Sequence, residues 1–202
     1  MQRALLKLSV IFPPLGMLVP VIWSLFVPGY SSIGQQMSEL EMVHGAVAAG
    51  TRIGALIAGL SIVAFGLALL LRNPLRMPFT AAFALLFGVS MMSNGVFIMG
   101  SSLHGLYGIG LSVALTPALF AAEFPRSAEA EGPDRISLLA SVVCLFYMWL
   151  LLTGLDPSAT KGLTQRLACL PLFGWHSYAS IKMLNRLPRD TLQTSTSVRS
   201  LG

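Results

Sequence analysis

Six long apolar runs divide the chain, and the stretches between them are short and rich in turn formers: Pro28-Gly29, Asn73-Pro74, Ser101-Ser102, Pro125 to Arg135 and Asp156-Pro157. A helix needs roughly 20 mostly apolar residues to cross a bilayer core. That length predicts spans at about 6–27, 46–71, 78–100, 104–122, 136–155 and 164–184. Backbone groups in lipid have to be satisfied inside the protein, and these runs are too long and too uniformly apolar for barrel strands. The expected fold is therefore all-α, a polytopic membrane protein built as a six-transmembrane-helix bundle over residues 1–186. The last residues, 187–202, are rich in Ser, Thr and Gln without apolar periodicity, which predicts a disordered cytoplasmic tail.

Charge then orients the bundle. Arg3, Lys7, Arg72, Arg76, Arg126, Arg135, Lys182, Arg186, Arg189 and Arg199 fall on one side, against Arg52, Lys161 and Arg166 on the other. Ten against three is the bias of a cytoplasmic face, so both termini are expected inside, in a bacterial plasma membrane. Read instead as a signal peptide, the first run lacks a small-residue cleavage motif and is long for that role.

Composition agrees, with 54% hydrophobic residues, 10% charged and a mean hydropathy of +0.74, values at odds with a solvated surface. The net charge of +5 does not point to nucleic acid, because the basic residues are scattered singly beside apolar runs. Cys144 and Cys169 lie inside spans with neither metal-site nor disulfide-framework spacing.

Gly50 and Gly54 form a GxxxG pair, and Gly108, Ser112 and Thr116 recur every fourth residue, both patterns of close helix contact. Prolines at 13, 14, 20, 117 and 171 each free a carbonyl within a span. No nucleotide loop, serine-hydrolase elbow, HExxH or CxxC is present.

The segment PGYSSIGQQMSELE, Pro28 to Glu41, together with GVFIMGSSLHG closing the third span and His104 opening the fourth, resembles the bacterial and archaeal membrane family catalogued as domain of unknown function 998. The chain departs from that pattern at Ser38-Glu39-Leu40-Glu41 and at Met99-Gly100. The resemblance implies six membrane helices and supplies no catalytic residues.

Ionisable groups within spans are costly, so each is a functional candidate. Glu41, His44 and His104 sit near the outer ends and His176 lies deeper, so these four are the candidate catalytic residues. Ser38 and Glu41 fit a capping box, and Glu41, His44, Ala48 and Arg52 would form one stripe if the second helix started there. Three histidines on spans 2, 4 and 6 match a zinc triad in type, with Glu41 as its base. The depth of His176, roughly 12 residues or 18 Å into its span, argues against a shared ion, and no metal or other cofactor is assigned. Arg52, Asn94 and Trp175 are the candidate substrate-binding residues. Arg52 is placed either snorkelling to lipid phosphates or paired inside the bundle, and Asn94 joins Ser90 and Ser93 in a polar cluster expected to bridge helices.

Three functions fit these positions. One is a membrane-embedded enzyme acting on a lipid or other apolar small molecule from the outer side. The second is a noncatalytic assembly or accessory protein, and the third a small transporter. The implied partners are membrane lipid and an apolar substrate.

Overall fold

A computed structural model describes residues 1–72, 76–124 and 134–187. The turn expected at Asn73-Pro74, most of the Pro125–Arg135 linker and the tail beyond residue 187 lie outside the described residues. The described chain is helical throughout: α1 (Gln2–Ser24), α2 (Ala46–Arg72), α3 (Pro78–Val96), α4 (Tyr107–Gly110), α5 (Ser112–Glu123), α6 (Arg135–Thr153), α7 (Lys161–Cys169) and α8 (Trp175–Asn185). A 3-10 turn, Met37–Met42, precedes α2, and a π turn, Leu170–Gly174, joins α7 to α8. Helices α1, α2, α3 and α6 are long and apolar enough to cross a membrane. With the shorter apolar α4–α5 and α7–α8 stretches, the chain is a polytopic helical membrane protein.

Side-chain bonds align the ends of these stretches. At the end carrying both termini, Gln2 Nε2 donates to Ala68 O (2.9 Å). Glu123 accepts the N–H groups of Phe79 and Thr80 at the start of α3, and Lys182 Nζ meets Asp134 Oδ2 at 2.8 Å. The Ser31–Met42 loop, the Phe97–Leu106 loop and the start of α7 gather at the opposite end, the one that the charge bias predicts to be outer. Helix α2 lies centrally, burying Ala58, Ile62, Phe65 and Ala68 against both α1 and α3. Its neighbours turn Leu8, Ile11, Leu139, Val142 and Phe146 outward, which is tolerable because the surrounding solvent is lipid.

The GxxxG pair serves contacts within the chain. A methyl added to Gly16 of α1 would lie 2.5 Å from Gly54 O and 2.8 Å from Ala58 N, while the Trp23 ring covers Gly50. Two prolines of α1 feed the same packing. Pro14 leaves the Val10 carbonyl without its helical donor, and Ser177 Oγ of α8 donates to it at 2.6 Å. Pro20 leaves the Gly16 carbonyl similarly free, and that oxygen faces Gly54. Helix α1 thus stays helical through three prolines.

The end carrying both termini also holds an ionic cluster at the start of α6. Asp134 caps α6 through the Ser137 N–H, accepts Tyr178 OH at 3.0 Å and pairs with Lys182. Burial pushes the Asp134 carboxyl up, but the bonds from Lys182, the Ser137 N–H and Tyr178 outweigh it and leave the group below its ordinary range. Its stabilisation is therefore complete above the unfolded value, about 3.9, and is lost as pH falls through the lower folded one. Asp134→Asn keeps an acceptor for the cap and removes the charge. It should cost about 0.5–1 kcal/mol at neutral pH in detergent unfolding, and the difference from wild type should close as pH falls below about 3.9.

Candidate functional site

The outer loop is built as a roof. Gln36 N–H donates to Glu39 Oε1 (3.0 Å), starting a turn that ends at Met42, where Val43 is extended at ψ 142°, and Gly45 at φ +78° then leads into α2. The cap expected at Ser38 and Glu41 therefore sits two residues earlier, at Gln36 and Glu39. Helix α2 begins only at Ala46, so Glu41, His44 and Arg52 do not form one helical stripe. Glu41 is buried and His44 exposed.

The roof is fastened to α7 by several bonds. Leu163 N–H donates to Ile33 O (2.9 Å), Met37 N–H donates to Gln165 Oε1 (2.6 Å), and Lys161 pairs with Glu39 at 2.7 Å. Arg166 is the central fastener: one terminal nitrogen lies 2.7 Å from Ser32 O, 3.0 Å from Gln35 O and 3.0 Å from Gly162 O. The other donates to Tyr30 OH (3.0 Å), and the guanidinium lies 5.7 Å from the Tyr30 ring centroid. Gly162 lets the helix approach, since a Cβ there would meet Ser32 O at 2.8 Å.

The second loop brings in His104. Gly100 and Gly105 take positive φ and Leu106 is held at φ 39°, turning the chain sharply before α4. Ser90 Oγ donates to Gly105 O and Ser93 Oγ to Leu103 O. The serine cluster of α3 thus holds this loop rather than bridging helices. Arg52, from α2, forms no ion pair with a carboxylate among the described residues. It donates to Gly95 O (3.0 Å) and Val96 O (2.7 Å), filling acceptors at the end of α3.

Beneath the two loops lies a cavity of about 150 Å³, walled by α1, α2, α3, α6 and the α7–π turn stretch. Its sides are mainly apolar: Met17, Ala55, Phe87, Met91, Met148, Leu151, Leu172 and Phe173 among them. Glu41 and His104 meet at its outer end, His104 Nδ1 lying 3.7 Å from Glu41 Oε2. His104 Nδ1 is also 2.8 Å from Phe97 O, and Glu41 Oε2 accepts the Met99 N–H at 3.1 Å. A carbonyl oxygen only accepts, so Nδ1 carries the hydrogen and Nε2 of the neutral ring is an acceptor. Burial raises the Glu41 carboxyl above its usual value, and His104, the Met99 N–H and Arg52 draw it partly back.

Of the other expected residues, Asn94 lines this cavity, with Nδ2 3.5 Å from Met91 Sδ. His176 and Trp175 lie one layer below. Trp175 donates to Ser137 Oγ (2.9 Å), and His176 is fully buried, its ring stacked on Phe87 and set edge-on to Phe65 and Trp175. His176 Nδ1 meets Leu172 O at 3.0 Å. The three histidines are therefore not brought together, and no group of three His, Cys, Asp or Glu among the described residues is placed to hold a metal ion. Thr51, Tyr147 and Gln165 were not foreseen on the cavity wall. Tyr147 and Gln165 had one signal, a polar group within an otherwise apolar span, while Thr51 needed the helix register.

No curated protein and no solved structure matches the chain. A family model described as a protein of unknown function, DUF998, matches residues 10–182, from within α1 to most of α8. The chain therefore belongs to the DUF998 family of membrane proteins.

Proposed function

We propose that this protein is a membrane-embedded enzyme that takes a small, largely apolar molecule from the outer side of a bacterial plasma membrane, with Glu41 and His104 moving a proton at that molecule's polar end. The observation that carries this reading is the placement of a carboxylate and an imidazole 3.7 Å apart at the outer end of an otherwise apolar cavity. Such a pair can exchange a proton with a bound group without water, and positioned acid–base groups contribute about a hundredfold to ten-thousandfold in rate. Asn94 and Gln165 supply amide groups beside them, and four methionines, Met17, Met37, Met91 and Met148, make an adaptable wall.

The accessory alternative drew its support from the small-residue stripes, and the Gly50–Gly54 pair is spent on α1. A transport path would have to pass the layer of Phe65, Phe87, Phe173, Trp175 and His176 beneath the cavity.

The test is to incubate purified protein with a total lipid extract of its expression host and follow every species by mass spectrometry. Wild type should deplete one amphiphile and build a product, and Glu41→Gln should slow that change by about a hundredfold or more. An extract left unchanged by folded wild-type protein would overturn the reading.

A further inference from the structure

The chemistry of the cavity wall narrows what it accepts. Glu41 Oε2 takes the Met99 N–H and faces His104, while Oε1 has no hydrogen-bond donor among the described residues. His104 gives its Nδ1 hydrogen to Phe97 O, which leaves Nε2 as an acceptor on the neutral ring. Asn94 directs its Nδ2 to Met91, leaving the amide oxygen as an acceptor. Two arginines are near, but neither serves the cavity: Arg52 donates to the end of α3, and Arg166 to the roof and Gly162. Glu41 is the charged side chain of this wall, with no lysine or arginine beside it there, although the Arg52 charge acts on it from the end of α3.

An independent observation points to a bound group. Thr51 is 4% exposed, lies on the same wall, and its hydroxyl has no hydrogen-bond partner. A buried hydroxyl left unpaired is costly, and a ligand placed against it can remove that cost.

Resting on the cavity reading above, we infer that the molecule it takes is a lipophilic primary amine, bound as the ammonium with its N–H groups on Glu41 and His104 and its hydrocarbon part among Phe87, Met91 and Leu151. An ammonium carries three donors and no acceptor, which complements the undonated Glu41 Oε1, the His104 Nε2 and the unpaired Thr51 hydroxyl oxygen. Its charge also offsets the cost of burying the Glu41 carboxylate, which a neutral alcohol does not do and an anionic lipid group makes worse. A cavity of about 150 Å³ suits a hydrocarbon body of roughly benzene size.

The experiment is titration calorimetry of the full chain in nanodiscs, with protein-free nanodiscs subtracted, using n-hexylamine, n-hexanol and hexanoate on wild type, Glu41→Gln and Ala55→Phe. The glutamine keeps an acceptor for the Met99 N–H and so preserves the loop, whereas the phenylalanine fills the cavity. The expected result is that wild type binds the amine at least tenfold more tightly than the other two, and that Glu41→Gln loses this preference. Equal or tighter binding of hexanol or hexanoate, abolished by Ala55→Phe, overturns the amine inference and leaves the cavity reading standing. Amine binding that is unchanged in Glu41→Gln also overturns the inference. Failure of all three probes to bind folded wild type overturns both. The comparison among probes on wild type needs no variant to fold.

Discussion

Gly16→Ala should destabilise the protein by about 2 kcal/mol in a detergent unfolding titration, although alanine is the better helix former. The gain in helix propensity is about 1 kcal/mol. Against it stands a methyl 2.5 Å from Gly54 O and 2.8 Å from Ala58 N, both backbone atoms of a central helix that is itself packed against α3. Neither atom can swing away as a side-chain tip would, so α1 has to lift off α2, and forcing extra volume into a packed interface costs about 1–3 kcal/mol or more. The same lift would pull Val10 O from Ser177. Gly108 is the control, since a Cβ there meets nothing within 4 Å. Gly108→Ala should be neutral or mildly stabilising, and equal losses at the two positions would sink the interpretation.

The second large effect is expected at the roof. Arg166→Ala removes the donor that serves Ser32 O, Gln35 O and Gly162 O and the contact to Tyr30 OH. Hydrogen bonds from charged groups are each worth about 1.5–3 kcal/mol. Loss of the two to loop carbonyls alone should lower the free energy of local opening by about 3 kcal/mol. Exchange at the Gln35 and Leu163 amides, which bond Ser31 O and Ile33 O, should then speed up about a hundredfold, while the Ile62 and Phe65 amides of α2 keep their protection. Uniform acceleration across α2 would mean global destabilisation instead, and unchanged loop exchange would show that Lys161 and Gln165 hold the roof without Arg166.

The two variants mark where reading from sequence succeeded and where it stopped. That the chain is a polytopic helical membrane protein follows from apolar run length, because span length is a property of a segment by itself, whereas the division of the fourth and sixth runs into α4–α5 and α7–α8 does not. Which partner a group meets is a property of two segments. The GxxxG pair announced close packing but not that Gly16 was its counterpart, and Arg52 could not be assigned until the end of α3 was placed beside it. The capping box failed for a local reason: Gln36–Glu39 and Ser38–Glu41 offer competing starts two residues apart, and the chain takes the earlier one as a separate turn that ends before the extended Val43. For His176 the residue type suggests chemistry, and its packing against the rings of Phe65, Phe87 and Trp175 was not legible in the sequence.

The polar make-up of the last helical stretch bears on how it is held. Helices α1, α2, α3 and α6 each carry enough hydrophobicity to leave the translocon for lipid unaided. The α7–α8 stretch has Lys161, Gln165, Arg166, His176 and Lys182 along one helical path, and a charged residue at mid-membrane costs about 2.5–3.5 kcal/mol on an insertion scale. What holds it in place is supplied by segments synthesised earlier: the Val10 carbonyl, the Asp134 carboxylate and the loop carbonyls that receive Arg166. The last described helix is thus held by groups that earlier segments supply, and the part of the cavity wall formed by Gln165, Leu172 and Phe173 depends on those bonds.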